Sequence, residues 1–176
     1  MFDCKPIGTP LDTNSKLSKA MSPTTEDERE YMERVPYQSA VGSLMYAMLG
    51  TRPDIAYAVG AVSQYNSDPG KAHWIAVKRI LRYLKGTMNF FLRYKGSDMQ
   101  LLGYSDADWG ENLDDRHSTG GYTFIISGGS VTWSSKKQQT VALSSTEAEY
   151  MALTQTTKEA IWIKCLLMEL NINNFN

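Results

Sequence analysis

The periodicity of the apolar residues changes once along this chain of 176 residues, close to Gly96, and that change limits what it can fold into. Before it, apolar side chains recur at three- and four-residue spacing. After it come short β-rich runs and then one long helical stretch. Helices followed by strands and a covering helix make an α+β chain. The expected division is an extended or poorly ordered segment over 1–35, a helical region over 36–96 and a sheet-and-helix domain over 97–176.

In the helical half, "YQSAVGSLMYAMLG" sets Tyr37, Val41, Leu44, Met45 and Met48 at helical spacing, with Gly50 as a stop. "RPDIAYAVGAVSQYNSDPG" has Pro53 where a first-turn proline belongs, aligns Ile55, Val59 and Val62, and breaks at Asp68-Pro69-Gly70. The third helix, "KAHWIAVKRILRYLKG", has two faces. Trp74, Val77, Ile80, Leu81 and Leu84 form the apolar one. Lys71, Lys78, Arg82 and Lys85 form a stripe on the other, with Arg79 beside it and Ile75 out of place. No acidic residue occurs from Lys71 to Lys95, although the whole chain carries a net charge of only -1. The stripe reads either as a solvated face or as a surface for the phosphates of a nucleic acid. Upstream, Pro6, Pro10 and Pro23 interrupt regular structure, and only "TTEDEREYMERV" suggests a short helix.

Past Gly96 the runs are "MQLLGYSDADW", "GGYTFIISGG" and "SVTWSSKKQQTVALS", with "MNFFLRYKG" just before them as a further β-rich run. "SGGS" reads as a tight hairpin connection. "SSTEAEYMALTQTTKEAIWIKCLLMEL" reads as one helix over 145–170. Hydrophobic residues make up 42% and charged ones 21%, a globular balance. Cys4 and Cys165 stand alone, which fits a reducing compartment better than a disulfide framework. His73 and His117 are single and suit solvated or capping roles. No apolar run approaches the roughly 20 residues of a membrane span, and "MFDCKPIGTP" is no signal peptide. The expectation is a soluble intracellular protein, cytoplasmic or nuclear, with no membrane partner.

The chemistry concentrates in two places. In "YSDADW", strand alternation sets Tyr104, Asp106 and Asp108 on one face, and Asp is depleted in strands. In the last helix, Ser144 and Glu147 form a capping-box pattern. At about 100° per residue, Glu149 shares a stripe with Leu153, Thr156, Ala160, Ile163, Leu167 and Leu170, while Glu147 projects nearly the opposite way. A buried carboxylate there calls for a cation, a donor or a metal. If the helix covers the strand face that carries Asp106, the two carboxylates converge as ligands for Mg²⁺. Two such ions about 3.5–4 Å apart would serve phosphodiester hydrolysis. The opposing reading has the aspartates ending a strand and Glu149 favouring the helix dipole. "DADWGENLDDRH" fails the calcium-loop template, because Gly110 and His117 occupy the wrong places. Asp114, Asp115 and Arg116 read as a polar turn with Arg116 a local ion-pair partner.

"YSDADWGENLDDRHSTGGYTF", "VTWSSKKQQTVALSSTEAEYMAL" and "RPDIAYAVGAVSQY" resemble the end of the Pol polyprotein of copia-type retrotransposons, where reverse transcriptase runs into ribonuclease H. "DCKPIGTPLD" and "YQSAVGSLMYA" resemble the segment just upstream. The resemblance implies a thumb- or connection-like helical region over 36–96 and a partial ribonuclease H-like fold over 97–176. It implies metal-dependent cleavage of the RNA strand of RNA–DNA hybrids, with Asp106 and Glu149 as catalytic metal ligands. Asp108 is an auxiliary candidate. The cofactor would be Mg²⁺ or Mn²⁺. The partners would be a hybrid or other nucleic acid and the remainder of the polyprotein, in the family within a virus-like particle. The family's third catalytic Asp, in a "CDN"-like motif after the long helix, has no counterpart here, so a C-terminally truncated and inactive fragment is expected. A missing neighbouring strand would leave "LLGYSDADW" as an exposed edge. The alternatives are a non-catalytic nucleic-acid-binding fragment acting through Lys71, Lys78, Arg79, Arg82 and Lys85, and a decayed insertion.

Overall fold

The computed structural model describes residues 3–12, 16–95 and 100–172, and the chain divides into two compact units, 1–91 and 92–176. Gly96 lies outside the described residues.

The first unit is helical. Helix α1 (Glu26–Glu33) starts at Thr25, whose hydroxyl accepts from the Glu28 amide while the Glu28 carboxylate reaches back to the Thr25 amide. Helix α2 (Tyr37–Gly50) is followed by a 3-10 turn at Pro53–Ile55 that feeds α3 (Ala56–Ser63), and α4 (Lys71–Gly86) completes the unit. Val41, Leu44, Ile55, Val59, Val62, Val77 and Ile80 are each at most 2% exposed and form one core. Of the stripes read from the sequence, Tyr37, Val41, Leu44, Ile55, Val59, Val62, Val77 and Ile80 are buried and Met48, Trp74, Leu81 and Leu84 partly so; His73, Ala76 and Tyr83 join the buried α4 face, and Met45 is exposed.

The extended N-terminal segment is anchored, not loose. It runs along α4 in the opposite direction to the helix. Pro6 lies against Gly86, Thr9 meets Arg79, the Ser18 carbonyl meets His73, and Met21 lies against Gly70. Gly70 has to be glycine: a Cβ there would sit 1.8 Å from the Met21 carbonyl oxygen. Ile7, Leu11 and Leu17 add apolar contact with the core. His73, fully buried, caps the start of α4. Its Nδ1 accepts from the Gly70 amide at 2.8 Å, so Nε2 carries the proton and donates to the Ser18 carbonyl at 3.0 Å.

The second unit is a three-stranded antiparallel sheet in the order β1 (Leu102–Ala107), β2 (Thr119–Ile126), β3 (Gly129–Lys137), packed by α5 (Ser145–Glu169). The β2–β3 connection is a two-residue turn with Ser127 and Gly128 at φ 53° and 79°, the type I′ signature. Val131 is the extra residue of a bulge, since Ile125 pairs with Ser130 and Phe124 with Thr132. The sequence suggested a further strand at "MNFFLRYKG", and its described residues form none. Phe90 and Phe91 are exposed. The chain then crosses the hairpin turn, with the Lys95 amide donating to the Ser127 carbonyl and the Tyr94 ring seated against Gly129.

Helix α5 covers one sheet face, on which Gly103, Ser105, Ala107, Gly120, Tyr122 and Phe124 alternate. Thr156 donates to the Ser105 hydroxyl at 3.0 Å, and Ala152 packs on Gly120, where a Cβ would approach it to 3.3 Å. Phe124, Ile163 and Leu167 form the core of this unit, with Tyr122, Ile126 and Ala160 around it. The other face carries Leu102, Tyr104 and Asp106, all exposed. Among the described residues no helix is long and apolar enough to cross a membrane.

Candidate functional site

Asp106 stands near the end of β1, the edge strand, and its cross-strand partner is Gly121. A glycine opposite leaves nothing on that face to cover the carboxylate, and Asp106 is exposed. The chain beyond β1 is pinned back. The Asp108 amide donates to the Thr119 carbonyl, the Gly110 amide to the Ser118 hydroxyl, and the Trp109 indole to the Ala142 carbonyl at 3.3 Å. Asp108 takes a local job, its Oδ1 accepting from the Glu111 amide at 3.4 Å. Asp115 pairs with Lys137 and lies 3.4 Å from His117 Nδ1. Arg116 donates to the Gly110 carbonyl, and among the described residues no ion pair of the kind suggested by the sequence is seen for it.

The start of α5 comes to the same end of the sheet. Gln138, just past β3, donates from Nε2 to the Ala148 carbonyl at 2.8 Å, and Ala152 sits over Gly120, the partner of Ala107. Ser144 caps the helix by accepting from the Glu147 amide, and the Glu147 carboxylate accepts from the Leu143 amide at 2.8 Å. Glu147 is thereby consumed in the structure. Glu149 is not.

Two expectations about Glu149 need correction. The buried stripe of α5 is Ala148, Ala152, Thr156, Ile163 and Leu167, whereas Glu149, Leu153 and Leu170 are exposed. Helical angle places Glu149 beside Ala148 and Ala152 but cannot show on which side of that edge burial stops. Nor does α5 cover the face that carries Asp106. It covers the face of Ser105, because the small residues Gly103, Ser105 and Gly120 admit the helix and Tyr104 would not. Asp106 and Glu149 thus share an end of the sheet, not a face. Among the described residues, neither carboxylate makes a hydrogen bond or ion pair.

As a donor set, the two carboxylates match a hard divalent cation, which takes oxygen ligands and retains water. They fall short of a full protein cage: among the described residues no group of three or more His, Cys, Asp or Glu side chains could hold an ion. Gln138 and Gly120, which seat the first turns of α5, were missed from the sequence. The glycine pair at 120–121 inside a strand was the available sign of a close approach.

The basic residues of α4 are mostly engaged. Arg82 Nε donates to the Lys5 carbonyl at 2.8 Å, and Lys85 Nζ to the Cys4 carbonyl at 2.9 Å. Arg79 reaches the Thr9 hydroxyl at 2.9 Å and the Asp12 carboxylate at 3.5 Å. Lys71 lies over the Tyr31 ring and Lys78 over the Trp74 ring, at 5.1 and 5.9 Å from the centroids.

The chain is 57% identical, over 98% of its length, to a retrovirus-related Pol polyprotein from transposon TNT 1-94 of Nicotiana tabacum. It is 45% identical, also over 98%, to that from transposon RE2 of Arabidopsis thaliana. The chain belongs to the retrovirus-related Pol family of copia-type transposons. It spans 13% and 11% of the length of those two Pol polyproteins. A secreted RxLR effector protein of Plasmopara viticola is 56% identical over 75% of this chain, and the match covers 94% of that protein. No protein-family description and no solved structure matches the chain.

Proposed function

We propose that this Pol segment serves hydrolysis of the RNA strand of RNA–DNA hybrids, its second unit being a ribonuclease H-like region that contributes Asp106 and Glu149. The observation that carries the reading is how the acids at this end of the sheet are used. Glu147 and Asp108 accept backbone amides, while Asp106 and Glu149 are exposed and unpartnered among the described residues. Mg²⁺ or Mn²⁺ held by them would supply Lewis-acid chemistry for phosphodiester hydrolysis. Asp106, opposite a glycine, leaves room for a phosphodiester on the open face. Glu149 follows the first turn of α5, which is held in place by the Ser144 cap and by Gln138. The remaining ligands would come from elsewhere in the polyprotein, so the isolated chain is expected to turn over hybrid slowly or not at all.

The test is hybrid cleavage with Mg²⁺ or Mn²⁺, by this chain and by a longer Pol segment that contains it. Cleavage by the longer segment, abolished by Asp106→Asn and by Glu149→Gln, is expected. Cleavage that survives both substitutions overturns the assignment. Robust turnover by the isolated chain, lost on Asp106→Asn, would overturn its expected inactivity.

A further inference from the structure

We infer that the N-terminal segment is a strap that masks a nucleic-acid-binding face on α4, and that displacing it opens that face to a phosphate backbone. The inference rests on the reading that this chain works on nucleic acid, but not on the carboxylate site. Helix α4 carries five basic residues, Lys71, Lys78, Arg79, Arg82 and Lys85, and no acidic one. A helix face this basic, unneutralised by its own sequence, fits a polyanion.

In the structure its central donors are filled by neutral acceptors. Arg82 and Lys85 hold the carbonyls of Lys5 and Cys4, and Arg79 holds the Thr9 hydroxyl. Asp12, at 3.5 Å from Arg79, is the one strap carboxylate recorded against the stripe among the described residues. The match is incomplete. Arg79 Nε is buried and has no hydrogen-bond partner among the described residues. Guanidinium groups whose donors meet a hydroxyl, at Arg79, and a backbone carbonyl, at Arg82, are poorly matched acceptor for donor. Phosphate oxygens make the shorter, charge-assisted bonds that guanidinium groups favour.

The strap is also built to come away as a piece. Its described residues lie along α4 without strand pairing, held at Gly86 by Pro6, at Arg79 by Thr9, at His73 by Ser18 and at Gly70 by Met21. Its apolar anchors Ile7 and Leu11 are only partly buried. Lys71 and Lys78, resting on aromatic rings outside the strap, would give a polyanion its first foothold.

Gly86→Val tests this without altering charge, because a Cβ there already meets the Pro6 side chain at 3.1 Å. Ile7→Asn with Leu11→Asn is the second route to release. Hydrogen exchange over residues 4–11 reports release, and protection of α2 and α3 reports that the unit remains folded. Binding of a short RNA–DNA hybrid is then measured against salt concentration. Release is expected to raise affinity about tenfold near 0.1 M salt. It should steepen the salt dependence by about 0.9 per newly contacted phosphate, hence by two to three for Arg79, Arg82 and Lys85. Adding Arg82→Glu to the released chain should cancel most of the gain. The strap is no mask if exchange shows it released and affinity or salt slope stays unchanged. A gain that survives Arg82→Glu also overturns the inference. Because the readout is binding, either outcome leaves the cleavage test of Asp106 and Glu149 separate.

Discussion

The two units bury their apolar residues differently. In the helical unit the inner faces of α2, α3 and α4 close on one another, and Val41, Ile55, Val59, Val62, Val77 and Ile80 have no access to solvent. The sheet unit has one face under α5 and the other open, with Leu102 and Tyr104 exposed beside Asp106. The outer side of α5 also shows Tyr150, Leu153, Ile161 and Met168 to solvent. The first unit is held by a closed apolar core, whereas the second leaves Asp106 and Glu149 exposed with no partner among the described residues.

The largest expected effect tests that contrast. Ile80 is fully buried among core neighbours, so Ile80→Ala leaves a closed cavity and should cost about 3–4 kcal/mol. Among the described residues, the buried partners of Phe124 are Ile163 and Leu167, and the space left by Phe124→Ala can be reached by neighbours or water. It should cost about 3 kcal/mol or less, toward the low end for that substitution. Hydrogen exchange of α2–α4 in one variant and of β1–β3 in the other reads both. A larger cost at Phe124 would break the comparison.

Next comes the polar lock of the helical unit. Arg52 donates twice to the Asp54 carboxylate and also to Thr87, while the Tyr83 hydroxyl donates to Asp54 at 2.7 Å. Burial works to raise the Asp54 carboxyl, but the hydrogen bonds from Arg52 and Tyr83 and the charge of Arg52 outweigh it and hold it below the usual range. A depressed carboxyl stabilises the fold above its unfolded pKa, and that stability is lost as pH falls through the folded value. Asp54→Asn should cost about 2 kcal/mol at neutral pH and flatten the acid limb of a thermal-melt pH profile. An unchanged acid limb would remove Asp54 from the account.

Much of this was legible because it is local. The two faces of α4, the hairpin turn at Ser127-Gly128 and the Ser144 cap are each decided by residues within a few positions of one another. The strap was not. Its contacts are backbone carbonyls, which every residue carries, so nothing in "DCKPIGTPLD" marks it as the cover for Arg82 and Lys85. Alternation correctly paired Tyr104 with Asp106, but which face α5 would take depended on the small residues Gly103, Ser105 and Gly120. Glu149 was separated from Glu147 by angle, and in the structure the distinction rests on partners: among the described residues Glu147 has one and Glu149 has none.

That distinction gives the two smallest effects. Ser144→Ala removes the cap of α5 and should cost about 1 kcal/mol, read by denaturation followed through helical circular dichroism. Glu149→Gln and Asp106→Asn remove exposed carboxylates with no recorded partner and should each change stability by less than about 0.5 kcal/mol. Their value lies in the divalent-ion response. A ligand that binds only the folded chain raises its melting temperature in proportion to occupancy. Millimolar Mg²⁺ or Mn²⁺ should therefore stabilise the wild-type chain slightly and leave either variant unmoved. If the variants responded as the wild type does, the ions would be acting elsewhere, and the open carboxylates at the rim of the sheet would be surface charge alone.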